Sequence, residues 1–162
     1  MKYFTLDGWI GDQDRGDDGT AAARAVQAYK TYLAGVRPEL PGDFRRLLAD
    51  YCIHDGRLRH MTVDLPAGIV VLRFDAGDVT MRQGRDISLH YGDAILVETT
   101  ADPERGLPGP HGYGDLGNDE IELLDGGLLE HRLLFSTGIE LTLRFRTFRL
   151  EEHPKPRPAA EQ

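Results

Sequence analysis

GLLEHRLLFSTGIELTLRFRTFRL, running from Gly127 to Leu150, is the stretch whose reading decides the fold. Leu129, Leu133 and Phe135 share one parity on its first arm. Ile139, Leu141, Leu143 and Phe145 share one on the second, with Glu140, Thr142, Arg144 and Arg146 between them. That alternation marks strands with one buried and one wet face. Ser136-Thr137-Gly138 joins the arms as a three-residue hairpin loop, in which Gly138 supplies the positive φ. The expected core is Leu133, Phe135, Leu141, Leu143 and Phe145.

Upstream of this hairpin the period of two extends back to Arg57. Met61, Val63 and Leu65 alternate, and Pro66-Ala67-Gly68 reads as a turn. Ile69 to Phe74 is apolar on both faces and reads as a central strand. A short strand is expected at Val79 to Met81. Ile87, Leu89 and Tyr91 alternate again, and Gly92-Asp93 reads as a two-residue hairpin turn into Ala94 to Val97. Residues 101–118 break the pattern with three prolines and five glycines, the composition of a long loop rather than a strand. Glu120 to Leu124 restarts the sheet.

Before Arg57 the period is helical. Val26, Tyr29, Leu33 and Val36 recur at helical spacing across residues 20–36, and the alanines add propensity. Gly35 and Pro38 end that helix. A second helix is predicted over 43–53, with Asp43 as its N-cap and Phe44, Leu47, Leu48 and Tyr51 as its apolar stripe. The fold class is therefore α+β: two N-terminal helices packed on a curled antiparallel β-meander of about seven or eight strands, a size at which a sheet curls or splits. Residues 1–150 form one domain, and 151–162 form an exposed Pro-rich tail.

The chain has 162 residues, 40% of them hydrophobic and 28% charged, with a formal net charge of −8. That size suits one domain with a real core. The acidity argues against nucleic acid as a partner, since phosphates need clustered Lys and Arg. Arg144, Arg146 and Arg149 form the one local exception, which reads as a solvated sheet face. No apolar run approaches the roughly 20 residues of a membrane span. The first residues, MKYFTLDGWIGDQD, lack the apolar core of a secretory signal, and the lone Cys52 allows no internal disulfide. A cytoplasmic location is expected.

No motif carries an active site. HExxH, paired CxxC, GxSxG, a P-loop and a strand-to-helix GxGxxG are all missing. The acidic run Asp12 to Gly19 invites a calcium reading, but a register starting at Asp14 puts Gly16 and Ala25 where oxygen ligands belong. Trp9 reads as a core side chain. Cys52 follows Leu48 by helical phase and reads as an inert thiol. His54-Asp55-Gly56 reads as the cap of the second helix. His131 is placed by parity among buried leucines, as a core histidine or a ligand group. No catalytic, cofactor-binding or metal-binding residues are assigned, and no cofactor is expected.

Two sets of residues remain as candidates. Asp102, Glu104, His111, Tyr113 and Asp115 on the long loop are a candidate surface for a protein partner. His54, Asp55 and His131 are candidate lining for a pocket between sheet and helices, to which His60 and His90 also belong if the imidazoles converge. The N-terminal MKYFT, the His54-Asp55 step and the closing ELLDGGLLEHRLLFSTGIELTLRFRTF resemble a group of short uncharacterised bacterial proteins. Those share a Tyr-Phe-Thr start, a His-Asp step into an antiparallel sheet, and a C-terminal hairpin. The resemblance implies the fold and carries no catalytic residues. By analogy alone the chain is also similar to the immunity proteins of bacterial toxin systems. The expected function is a non-enzymatic, immunity-like protein-binding module. The alternatives are a small-molecule-binding protein or enzyme, and a homo-oligomer assembled through a sheet edge.

Overall fold

The structure, a computed structural model, describes residues 1–5, 20–100 and 112–154. Trp9, the acidic run Asp12 to Gly19, most of the long loop and the end of the tail lie outside the described residues. Two helices, α1 (Thr20–Val36) and α2 (Gly42–Asp50), precede eight strands. These are β1 (Tyr51–Asp64), β2 (Ile69–Asp78), β3 (Gly84–Gly92), β4 (Leu96–Thr100), β5 (Leu116–Leu123), β6 (Leu129–Phe135), β7 (Glu140–Phe145) and β8 (Thr147–His153).

The α+β class holds, but the strands are not one meander. They form two antiparallel sheets of four, ordered β1-β2-β3-β8 and β4-β7-β6-β5. Gly92-Asp93 is the reason. It does not fold β4 back on β3. The chain bends there and leaves one sheet for the other, while Arg146 does the same opposite it. Asp86 pairs with His153 and so on to Gly92 with Thr147; the ladder then resumes from Leu96 with Arg144 to Thr100 with Glu140. Between the two stretches one strand advances four residues and its partner three, which is a bulge. The Arg146 N–H donates to the Gly92 carbonyl (3.1 Å) and the Ile95 N–H to the Arg144 carbonyl (2.9 Å) across that corner. The arginines Arg144 and Arg149 consequently belong to different sheets.

The inner faces of the two sheets make the core. Val70, Leu72, Phe74, Ile87, Leu89 and Tyr91 face Leu129, Leu133, Phe135, Leu141, Leu143 and Phe145, all buried. Tyr91 meets Phe145 edge-on at 4.9 Å between centroids. The predicted hairpin is present, with Gly138 at φ 81°, but its first arm is not wet on one face. Every residue of β6 except Arg132 is buried, because Glu130 and Leu134 are covered on the outer side as well.

The second helix stops at Asp50, not at residue 53. Tyr51 turns to φ −124°, ψ 153° and pairs with Asp78, so sheet pairing overrides the helical periodicity. His54, Asp55 and Gly56 therefore lie inside β1 and do not cap a helix. They form a bulge between Cys52 and Arg57, with Asp55 at φ 59°. Cys52 is half-buried on that strand rather than packed beside Leu48. Asp43 is not a cap either; its carboxylate accepts the Leu150 N–H of β8 at 2.9 Å. The expected strand at Val79 to Met81 is a turn. The Asp78 carboxylate organises it, accepting from Thr80 N (3.0 Å), Thr80 Oγ1 (2.7 Å) and Arg82 N (3.1 Å). At the other end, β8 runs on to His153, so the tail begins later than residue 151.

The helices are tied to sheet edges. Asp43 on α2 accepts the Leu150 N–H on the outer edge of β8. On α1, the hydroxyls of Tyr29 and Tyr32 accept the Ile121 and Leu123 N–H groups of β5, each at 2.8 Å. Those are N–H groups that β6 leaves unpaired, and edges left bare are templates for aggregation.

Candidate functional site

With helix side chains bonded to β8 and β5, β1 and the short β4 are the other two sheet edges, and β1 is the longer of them among the described residues. Among the described residues an isolated antiparallel bridge, Arg57 with Asp115, joins it to the other sheet. Beyond that point the backbone of residues 60–64 pairs with β2 and, among the described residues, with nothing on its other side. Met61 and Val63 stand opposite the buried Leu72 and Val70 but are themselves exposed. Leu65 (75% exposed) and Ile69 flank the following turn. The Ala94 N–H donates to the Gly68 carbonyl at 2.9 Å, which brings the exposed Ile95 beside that turn. The result is a strand edge with open N–H and C=O groups next to a set of exposed large apolar side chains. Contiguous apolar exposure of this kind marks interaction sites.

The residues singled out from the sequence sit as follows. Asp102, Glu104 and His111 lie outside the described residues. Tyr113 and Asp115 are held down: the Tyr113 ring packs edge-on to Phe135 at 5.3 Å, and Asp115 accepts from Arg57 at 3.2 Å. His54 and Asp55 lie together, 3.6 Å apart, on the rim of an open cleft of about 190 Å³ with Gly56, Asp75, Gly77 and Met81. His131 is not there. It is fully buried between the sheets, against the ring of Phe44 at 5.2 Å. His60 is exposed on β1, and His90 lies on the outer face of β3, 3.3 Å from Glu151. Burial first, and then Arg149, lower the His90 pKa, while Glu151 opposes them. The imidazoles do not converge.

His131 belongs instead to a buried polar chain. Its Nε2 lies 3.1 Å from Asp119 Oδ2 and its Nδ1 2.8 Å from the Tyr91 hydroxyl. A carboxylate only accepts, so Nε2 carries the proton and donates to Asp119. With Nε2 as donor, Nδ1 accepts the Tyr91 O–H, and both ring nitrogens have a partner. Burial, reinforced by the Asp119 charge, pushes the Tyr91 phenol well above its ordinary pKa. A group so enclosed offers no surface to a substrate, and the chain acts as a structural pin between the sheets.

The outer face of the second sheet holds an ionic grid. Arg132 donates to Glu120 at 2.9 Å and also to Glu122 and Glu130; Arg144 donates to Glu130 from the next strand. Burial works against the Arg132 charge, but the bonds to its three glutamates more than offset it and hold the guanidinium above its ordinary range. Glu120 and Glu130 are fully buried yet paired, as buried charges must be. Alternation put Glu130, Arg132 and Arg144 on the face opposite the hairpin's leucines but gave no sign that anything covers them.

Among the described residues no group of His, Cys, Asp and Glu side chains is arranged to hold a metal, and no helix is long and apolar enough to cross a membrane. Compared with known proteins, the chain matches no family model and no curated sequence.

Proposed function

We propose that the chain is a non-enzymatic protein-binding module, immunity-like in its size and acidity, that takes a partner's strand along the free edge of β1. One observation carries the reading: two other sheet edges receive hydrogen-bonding side chains from the helices, whereas residues 60–64 have no backbone partner on their outer side among the described residues and lie beside Met61, Val63, Leu65 and Ile69. Strand addition uses the backbone for affinity and alternate side chains for specificity. In this reading the protein works in the cytoplasm on a protein partner, with no nucleic acid involved. The test is affinity capture from the host lysate with wild-type bait and with M61K/V63K bait of equal thermal stability. A partner held by the first and lost by the second supports the reading. Equal recovery moves the interface elsewhere, and no recovery removes the reading. Sedimentation at several concentrations separates a foreign partner from a second copy of the chain.

The small-molecule alternative rests on the cleft at His54 and Asp55. At about 190 Å³ it is open and smaller than the roughly 300–1,000 Å³ of ordinary ligand pockets. It ranks second for that reason.

A further inference from the structure

Residues 1–5 lie across the outer side of the second sheet as a strap. The Glu120 carboxylate accepts the backbone N–H groups of Lys2, Tyr3 (2.8 Å) and Phe4 (3.4 Å). The Lys2 ammonium donates to Glu122 at 3.2 Å and sits over the rings of Tyr3 and Tyr32 at 5.6 and 5.7 Å. The Tyr3 ring meets Tyr29 at 5.3 Å and Tyr32 at 5.8 Å, and Phe4 meets Tyr29 edge-on at 5.3 Å. The terminal ammonium of Met1 lies 3.3 Å from Glu140.

Each wall of this groove is fixed by something other than the strap. Arg132 holds Glu120 and Glu122 from the sheet. The β5 N–H groups of Ile121 and Leu123 hold the hydroxyls of Tyr29 and Tyr32, and so fix their rings. Among the described residues the strap enters no strand ladder, and its side chains are not part of the core between the sheets. A buried carboxylate aimed at backbone N–H groups, a second carboxylate for an ammonium and two rigid aromatic faces together make a preorganised receptor for an extended peptide.

We propose that this groove recognises an extended segment with a basic residue followed by two aromatics, presented by a partner protein, and that Lys2-Tyr3-Phe4 occupies it in cis. Backbone recognition by Glu120 is indifferent to which chain supplies the amides; Glu122 and the tyrosine pair set the side-chain pattern. The tethered segment competes at an effective concentration in the millimolar range and masks the groove until a tighter or more abundant segment displaces it.

The test uses the full chain and the capped peptide acetyl-Lys-Tyr-Phe-Thr-amide carrying a fluorophore, read by fluorescence anisotropy. The Y3A/F4A variant, which removes the strap's aromatic contacts and leaves only its amides and Lys2 to compete, is expected to bind it at least about tenfold more tightly than wild type, the relief of that intramolecular competition. Adding E120Q to this variant, or replacing the peptide's lysine by glutamate, is expected to reverse that gain. A folded Y3A/F4A that binds no better than wild type overturns the proposal. If that variant does not fold, amide hydrogen exchange of Lys2 to Phe4 in wild type decides. Faster exchange with millimolar peptide supports displacement, and unchanged exchange overturns it. The M61K/V63K variant is expected to leave peptide affinity unchanged, so this groove and the β1 edge stand or fall separately.

Discussion

The Tyr91 hydroxyl lies 2.8 Å from Nδ1 of His131, and neither residue has any surface in water. Tyr91 comes from the first sheet and His131 from the second, so one hydrogen bond links the two layers through the core. Tyr91→Phe leaves Nδ1 buried with no donor, which costs about 1–3 kcal/mol. Asp119→Asn acts at the more open end of the chain and is expected to cost less. Urea unfolding of the two variants checks the order; a Y91F protein as stable as wild type removes the pin from the account.

Alkaline pH is expected to unfold the protein through Tyr29 and Tyr91. Burial raises both phenols above their ordinary value, in Tyr29 with help from Asp119 and against the bond from Ile121. The folded state therefore favours the protonated form. Its stability is intact below about pH 10, the unfolded phenol value, and falls as pH rises beyond it. Tyrosinate absorbance from these two residues should appear in step with loss of circular dichroism.

Acid acts on the opposite groups. The bond from Tyr51, and then Arg85, hold the Glu152 carboxyl below its ordinary value. At Glu122 burial opposes ionisation, but Arg132 and Lys2 more than offset it. Carboxyls lowered by folding contribute stability above their unfolded value and lose it as pH falls through the folded one. Stability should therefore decline below about pH 4.5. In an R132M variant, three neighbouring glutamates lose their shared partner, at a cost of about 3–5 kcal/mol as for a broken buried pair. Its acid limb should be shallower, because glutamates without a cation gain less from ionising.

Two glycines should respond to alanine with opposite signs. A Cβ on Gly56 would stand 2.6 Å from the Ile53 carbonyl oxygen and 3.0 Å from that of Asp75, both backbone atoms. The bulge must open to admit it, at about 1–3 kcal/mol. Gly35, inside α1, has nothing within 4 Å of the same position. Gly35→Ala should stabilise by about 0.5–1 kcal/mol through helix propensity. Thermal melts of the pair test both signs.

Alternation placed Leu133, Phe135, Leu141, Leu143 and Phe145 in the core, and all five are fully buried. It also put His131 on the inner face. Parity reports a face; it does not report what covers that face. Glu130 and Leu134 are buried for reasons that lie outside β6. The helix stripe ran too far because Tyr51 is apolar at helical phase and equally apolar in β1. Gly92-Asp93 has the composition of a hairpin turn, and only the pairing of β3 with β8 shows that it is a corner. The free edge was invisible for the same reason: Met61, Val63 and Leu65 read as a strand, but strand order, which exposes them, is a property of the whole topology. The strap and its groove join residues more than a hundred positions apart, with no local pattern to announce them.

The corner at Gly92 and Arg146 bears on how the molecule assembles. One continuous ladder serves both sheets, so neither four-stranded layer has all its pairings until residues 86–100 have met residues 140–153. Those partners lie 40 to 67 positions apart along the chain. Such distant pairing pays its loop-closure entropy before any reward and belongs to slow, late-committing folding. The two layers should accordingly open and close as one cooperative unit; a nascent chain cannot complete the second layer until β7 has been synthesised, nor the first until β8 has.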